Sequence, residues 1–426
     1  MTMMLYTARL IFPVSDEPIR DGAVAVEGGR IAAVGAASSL RERYSSARVV
    51  DLGERALLPG LINAHTHLEL THHAGHIPDN LPFIEWIYPM VSYSRTRTPD
   101  DFEQAAYAGI ELLRASGTVA VGEICTFGQS VRPLVESGLS GVVYYELLSP
   151  DPSRAGDLLR EGQQQIERWR KEYPNSRIRF GLSPHTPFTV SAELMRAAAE
   201  WCRAEDVPLS IHVAESPAET QFLRDATGPV AELLYAGAGW PLDPTRAPGI
   251  SPVAWLDQLG VLAARPLLAH GVQVDADDLT RIAQADAAVA HCPRSNTQLQ
   301  CGRMPFGLYR AAGVKLALGT DSLASSPSLA VWDDAIAARA LHTAAGETPT
   351  PTEVLRLATL GGADALGLAD DLGTLEPGKR AEMACVPLDA LTPEERGNAD
   401  AVLAALVAGR IGPEAVPATI TASSMN

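Results

Sequence analysis

Lysine is nearly absent from this 426-residue chain, which holds three: Lys171, Lys315 and Lys379. Basic residues number 34 against 51 acidic ones, a net charge of −17. That balance disfavours nucleic acid and anionic membrane surfaces as partners and favours a small neutral or cationic substrate. The five cysteines (Cys125, Cys202, Cys292, Cys301, Cys385) show no metal-ligand spacing and read as buried small hydrophobes in a reducing compartment. No uncharged run reaches membrane-spanning length, and Arg9 interrupts Met1 to Val14 without a cleavage-like pattern, so a cytoplasmic location is expected. Three catalytic signatures are missing: Gly-x-Ser-x-Gly, His-Glu-x-x-His and Pro-Cys-x-x-Cys. Gly373-Thr374-Leu375-Glu376-Pro377-Gly378-Lys379-Arg380 falls one residue short of a phosphate loop, with Arg380 where Ser or Thr would bind magnesium. There is no low-complexity tract and no repeat beyond a βα alternation.

What is present begins at Asn63-Ala64-His65-Thr66-His67, fed by the apolar run Ala56 to Ile62. Imidazoles at i and i+2 project to one side of a strand, and two neutral nitrogens offered together suit a divalent metal. Four later segments repeat the style. Pro208 to Val213 carries His212, with Glu215 three positions on; Pro266 to Gly271 carries His270; Ala287 to Cys292 carries His291; Val314 to Ser322 carries Asp321. Short apolar runs ending in polar residues read as buried parallel strands with functional tips.

Eight strand candidates centre near Ile62, Val119, Val143, Phe180, Ile211, Leu268, Val289 and Leu316, separated by helical patterns such as Ser191 to Ala204. This alternation predicts an α/β fold, a (β/α)8 TIM barrel over 58–371, whose chemistry sits at the carboxyl ends of its strands. The flanks, 1–57 and 372–426, alternate apolar and polar residues and are expected to meet in one small β-sandwich, with a Gly28-Gly29 hairpin turn in the first. The Ser/Thr-rich tail from Ala418 reads as loose. A barrel of this size is compatible with a homodimer.

Pro59-Gly60-Leu61-Ile62-Asn63-Ala64-His65-Thr66-His67, followed in order by His212 with Glu215, His270 and Thr320-Asp321, resembles the metal-dependent amidohydrolase superfamily, in its mononuclear deaminase branch. The resemblance implies that His65, His67, His212 and Asp321 hold one metal, with Asp321 also taking a proton from the water. It implies that Glu215 moves protons and that His270 hydrogen-bonds the attacking water. Zinc is the first choice, although a three-His, one-carboxylate set also accepts iron(II) or manganese. Two-metal relatives use a lysine at the end of the fourth strand; none of the three lysines lies there, so one metal is expected.

Substrate-facing candidates are His185 in Ser183-Pro184-His185-Thr186-Pro187-Phe188, Glu69 and Trp86 in the first βα loop, Arg294 after the seventh strand, and Ser322. His72, His73 and His76 read as a solvated or substrate-facing loop. The Ser183–Phe188 segment, His291-Cys292-Pro293-Arg294-Ser295-Asn296 and Gly249 to Leu256 most resemble the aminodeoxyfutalosine deaminases of menaquinone synthesis. Such a substrate is a purine nucleoside bearing a benzoate, for which Arg294 is a reasonable partner. The alternatives are an adenosylhomocysteine or methylthioadenosine deaminase, a guanine or triazine amino- or chlorohydrolase, and, more remotely, a metal-binding protein without catalysis.

Overall fold

The computed structural model describes residues 3–243, 247–411 and 419–420. Most of the tail from Ala418 lies outside the described residues. The chain forms two compact units, one of residues 1–63, 111–120 and 330–426, the other of 64–110 and 121–329.

The first unit carries a seven-stranded sheet. Its strands are β1 (Met4–Ile11), β2 (Ile19–Glu27), β3 (Arg30–Ala36), β4 (Arg48–Asp51), β5 (Arg55–Pro59), β14 (Met383–Pro387) and β15 (Thr419–Ile420), with β6–β13 described below. The order is β15-β14-β5-β1-β2-β3, and β4 pairs with β1. The β2–β3 hairpin closes through Gly28 and Gly29, at φ of 59° and 75°, a turn that demands positive φ at both central residues. Alternate residues of β1, β2 and β14 bury Tyr6, Ala8, Val24, Val26, Met383 and Cys385 in one apolar cluster. N- and C-terminal segments thus share a single sheet through the antiparallel pairing of β14 with β5.

Eight further strands follow in chain order: β6 (Leu61–Thr66), β7 (Thr118–Cys125), β8 (Ser140–Leu147), β9 (Ile178–Pro184), β10 (Ser210–Val213), β11 (Leu267–His270), β12 (Ala288–His291) and β13 (Lys315–Leu318). Each expected strand centre, from Ile62 to Leu316, falls inside one of them. They lie in two sheets of four, β6-β7-β8-β9 and β10-β11-β12-β13. A parallel bridge from Leu182 to Leu209 joins the first sheet to the lead-in of β10, and another joins Thr66 to Asp321. All eight residues of β7 and all four of β10, β11 and β12 are buried, as parallel strands covered on both faces require. Close strand packing depends on Gly141, where a Cβ would sit 2.0 Å from the Val121 carbonyl oxygen.

Helices between the strands carry sequence-encoded caps. Ser191, Ser216 and Ser251 each accept a hydrogen bond from the third residue onward, and Asp275 with Asp278 forms a reciprocal capping box. Helix Ala192–Ala204 buries Leu194, Met195, Ala198, Ala199 and Cys202, the i, i+4 stripe that faces a core. No helix among the described residues is long and apolar enough to cross a membrane.

Candidate active site

The carboxyl ends of β6, β10, β11 and β13 bring six side chains into one cluster. His65 lies in β6 and His67 one residue past its end, on the same side of the chain because the side-chain period is two. His212 comes from β10, Glu215 from the turn after it, His270 ends β11, and Asp321 follows β13. His65, His67 and His212 present ring nitrogens within 4.8 Å of one another. The Nε2 atoms of His67 and His212 are 3.3 Å apart, and Asp321 Oδ1 lies 3.4 Å from His67 Nε2 and 3.7 Å from His65 Nε2. His270 is ring-adjacent, its centroid 5.4 Å from that of His65, and its Nε2 is 3.7 Å from Glu215 Oε1.

The backbone bends to achieve this. Ala214, His270 and Asp321 take φ values of 52°, 74° and 61°, a left-handed conformation that non-glycine residues adopt at some cost. Asp321 N–H donates to the His65 carbonyl at 3.0 Å, which locks the end of β13 onto β6. His212 Nδ1 lies 3.1 Å from the His185 carbonyl and must carry its hydrogen there, which leaves the Nε2 lone pair facing His67.

Electrostatics follow from burial. Desolvation, then the neighbouring imidazoles, hold His65 well below the usual histidine range, and His212 likewise, so both stay neutral and able to ligate. Burial pushes Asp321 up, but His67, His270 and the hydroxyls of Ser295 and Ser325 outweigh it and keep the carboxylate ionised. Glu215 goes the other way: burial, then the charges of Asp321 and Glu219, raise it well above an ordinary carboxyl. Two carboxyls in one site are therefore driven apart, one to remain an anion and one to hold a proton.

A divalent metal fits this donor set. Both ring nitrogens of His65 are buried with no hydrogen-bond partner among the described residues, a state that buried polar atoms rarely tolerate unless something else is coordinated. Three imidazoles and one carboxylate make a zinc-type set that leaves a position open.

The expected substrate contacts fare differently. Glu69 is 1% exposed, and its carboxylate accepts the backbone N–H groups of Thr126, Phe127, Gln129 and Ser130. It anchors the loop after β7 through these four bonds. Trp86 is buried, its indole N–H donating to the Ala324 carbonyl at 2.9 Å. Arg294 donates from Nη1 to Ser328 Oγ at 2.8 Å and from Nη2 to the Ser328 carbonyl at 2.9 Å, tying down the loop after β13. Ser322 is buried, 3.1 Å from Ser325 Oγ. His185 does reach the cluster: its ring packs edge-on against His212 at 5.0 Å, with Nδ1 2.8 Å from Thr189 Oγ1. His73 is not solvated; it is buried against Tyr93 and lies 2.8 Å from Ser94 Oγ.

Several supporting residues escaped sequence reasoning. Ser295 and Ser325 donate to Asp321 Oδ2 at 2.6 and 2.7 Å. Glu219 accepts the N–H groups of Ala214 and Glu215 at 3.0 and 2.9 Å and so holds the turn that aims Glu215. Its one sequence signal, Ser216 three residues before it, is that of a helix cap. Glu123 accepts Thr66 Oγ1 at 2.8 Å and Leu68 N–H at 3.0 Å, bracketing His67. A carboxylate inside the apolar run Thr118–Cys125 was the visible clue.

Residues 56–411 match the amidohydrolase family, and 22–44 match a bacterial imidazolonepropionase-like composite domain. The chain is 38% identical over 353 residues to an aminodeoxyfutalosine deaminase of Deinococcus radiodurans, covering 81% of each chain. It is 33% identical to a 5-methylthioadenosine/S-adenosylhomocysteine deaminase of Syntrophobacter fumaroxidans, covering 86% of this chain and 80% of that one. Among solved structures, an adenosine deaminase from Xanthomonas campestris with bound zinc superposes with a TM-score of 0.81 at 28% identity, covering 96% of this chain and 90% of that one. The fold is shared as well with Helicobacter pylori aminofutalosine deaminase in complex with methylthio-coformycin, at a TM-score of 0.80 and 22% identity, covering 95% of this chain and 96% of that one.

Proposed function

Because the chain belongs to the amidohydrolase family, we propose that it is a metal-dependent hydrolytic deaminase of an adenosine-like nucleoside, and that 6-aminodeoxyfutalosine, deaminated to futalosine and ammonia, is its substrate. The observation that carries the reaction class is the placement of an ionised Asp321 against the clustered imidazoles of His65, His67 and His212, with a buried, proton-holding Glu215 and His270 beside them. The Deinococcus relative, the most identical of those described, supports the substrate. The Syntrophobacter relative supports a second reading, deamination of methylthioadenosine or adenosylhomocysteine.

His65, His67, His212 and Asp321 would hold the metal, with zinc favoured by the zinc-bound Xanthomonas neighbour. When bound, such an ion supplies the Lewis acidity that makes water a usable nucleophile at neutral pH. The chain supplies the rest. Glu215 keeps a proton to deliver to the ring nitrogen beside the attacked carbon, since its burial disfavours the anion. Asp321, ionised and 3.4 Å from His67, accepts the proton given up by water. His270 steadies developing charge, and His185 lies at the cluster's edge, where a purine face would pack. The eight strands, ordered by chain and bridged at Leu182–Leu209 and Thr66–Asp321, support closure into a (β/α)8 barrel with the site at its carboxyl end. Five buried free cysteines support a reducing cytoplasm as its home.

The test offers aminodeoxyfutalosine, adenosine, adenosylhomocysteine, methylthioadenosine and guanine side by side to the metal-replete protein, with ultraviolet and ammonia readouts. Preferred turnover of the first supports the proposal. Preference for adenosylhomocysteine or methylthioadenosine moves the assignment to the second reading, and inertness towards all five overturns the deaminase reading.

A further inference from the structure

The segment after β12, helix Pro293–Gln298 and its continuation to Cys301, sets one side chain against each of three groups of the site. Ser295 Oγ donates to Asp321 Oδ2 at 2.6 Å, Asn296 Nδ2 lies 2.9 Å from His270 Nδ1, and Cys301 Sγ lies 3.9 Å from Glu215 Oε1. We propose that Asn296 is a positioning residue that holds His270 in the tautomer carrying hydrogen on Nε2, so that the ring offers a donor to the reacting centre. The reacting centre meant here is that of the deaminase reading above, on which this inference rests.

Both ends of the ring lead to the same tautomer. An amide NH2 only donates, so a contact at Nδ1 requires a bare nitrogen there and puts the hydrogen on Nε2. At the other end, Nε2 faces Glu215 Oε1 at 3.7 Å, the oxygen that also accepts the Cys301 thiol. Burial keeps that thiol protonated and therefore a donor. An acceptor oxygen opposite Nε2 favours N–H over a lone pair. Turning the amide over would bury both Asn296 N–H groups without the His270 partner and aim a bare Nε2 at an acceptor. The orientation described leaves only Asn296 Oδ1 unpaired, the smaller loss. Asn296 is 1% exposed and His270 equally so, so water offers neither an alternative. With hydrogen on Nε2 the ring cannot ligate through that atom, which keeps His270 out of the metal's coordination and free to act as a donor.

The test is nitrogen-15 spectroscopy of the zinc-loaded full chain labelled at its histidine rings, with the His270 signals identified by their loss in His270→Gln. Wild type should show a protonated Nε2 and a bare Nδ1. Asn296→Asp, which can only accept, should move a proton onto Nδ1, lower kcat roughly 10–100-fold with KM little changed, and leave zinc content intact. A bare Nε2 in wild type overturns the proposal, and so does an Asn296→Asp protein with an unaltered ring signature and wild-type kcat. Should that variant fail to fold, the wild-type spectrum alone still decides the tautomer. The spectrum needs no turnover, so a protein with the expected ring signature that deaminates nothing would refute the proposed function and not the tautomer.

Discussion

Replacing Glu215 with Gln exchanges one ionisable carboxyl for an amide of nearly the same size. The surroundings are arranged to tolerate it. Oε1, the atom the amide retains, is the one that faces His270 at 3.7 Å and Cys301 at 3.9 Å, and the backbone N–H of Glu215 stays bonded to Glu219 at 2.9 Å. Side-chain placement and the metal-holding set should therefore survive. What disappears is the proton that burial stores on this group. Loss of a positioned general acid–base costs about 10²–10⁴-fold in kcat, which is about 3–5 kcal/mol of barrier at about 1.4 kcal/mol per tenfold. Because the interaction is made in the transition state, kcat should fall while KM stays within about threefold. The assay follows ultraviolet loss of the aminopurine chromophore and ammonia release, alongside metal content by mass spectrometry. A variant that keeps its metal and turns over at near wild-type rate would refute the proton-transfer role. A variant that loses the metal would place Glu215 in the metal-holding set instead.

Asp321→Ala removes the carboxylate next to His67 and should lower metal retention through dialysis against a chelator; full occupancy would contradict its place in the set. Glu69→Ala strands the four N–H groups of the loop at Thr126–Ser130 and should destabilise the protein by about 3 kcal/mol or more in urea unfolding. A raised KM with unchanged stability would instead return Glu69 to the substrate. Burial lowers His73 from 6.5 to about 4, so the unfolded chain takes up this proton before the folded one does. Its contribution to stability is full above the ordinary value and is lost as pH falls towards about 4. His73→Gln should therefore lose less melting temperature than wild type between about pH 7.5 and pH 5; equal losses would show His73 to be exposed.

Strand positions were legible because an apolar run ended by a ligand-type residue carries both signals in adjacent letters. Ile211 before His212 and Leu268 before His270 are of this kind, and both strands lie where the pattern placed them. Helix starts were similarly local, as Ser191 and its cap on Leu194 illustrate. Long-range partners were not legible. Glu69 and Trp86 look alike in sequence to residues that face a ligand, yet their polar atoms are occupied by groups 61 and 238 positions away. The seven-stranded sheet, too, joins β14 to β5 across more than three hundred residues, although each strand's alternation is written locally.

By itself the sequence determined which side chains have metal-ligand chemistry, their order along the chain, and the strands that carry them, because residue type and side-chain period are local properties. The tertiary structure alone decided which carboxyl is an anion and which holds a proton, since that difference comes from burial and neighbouring charge at Asp321 and Glu215. It also decided that Glu69 anchors a loop and that Asn296 meets His270, because hydrogen-bond partners are settled only when distant strand ends are brought together.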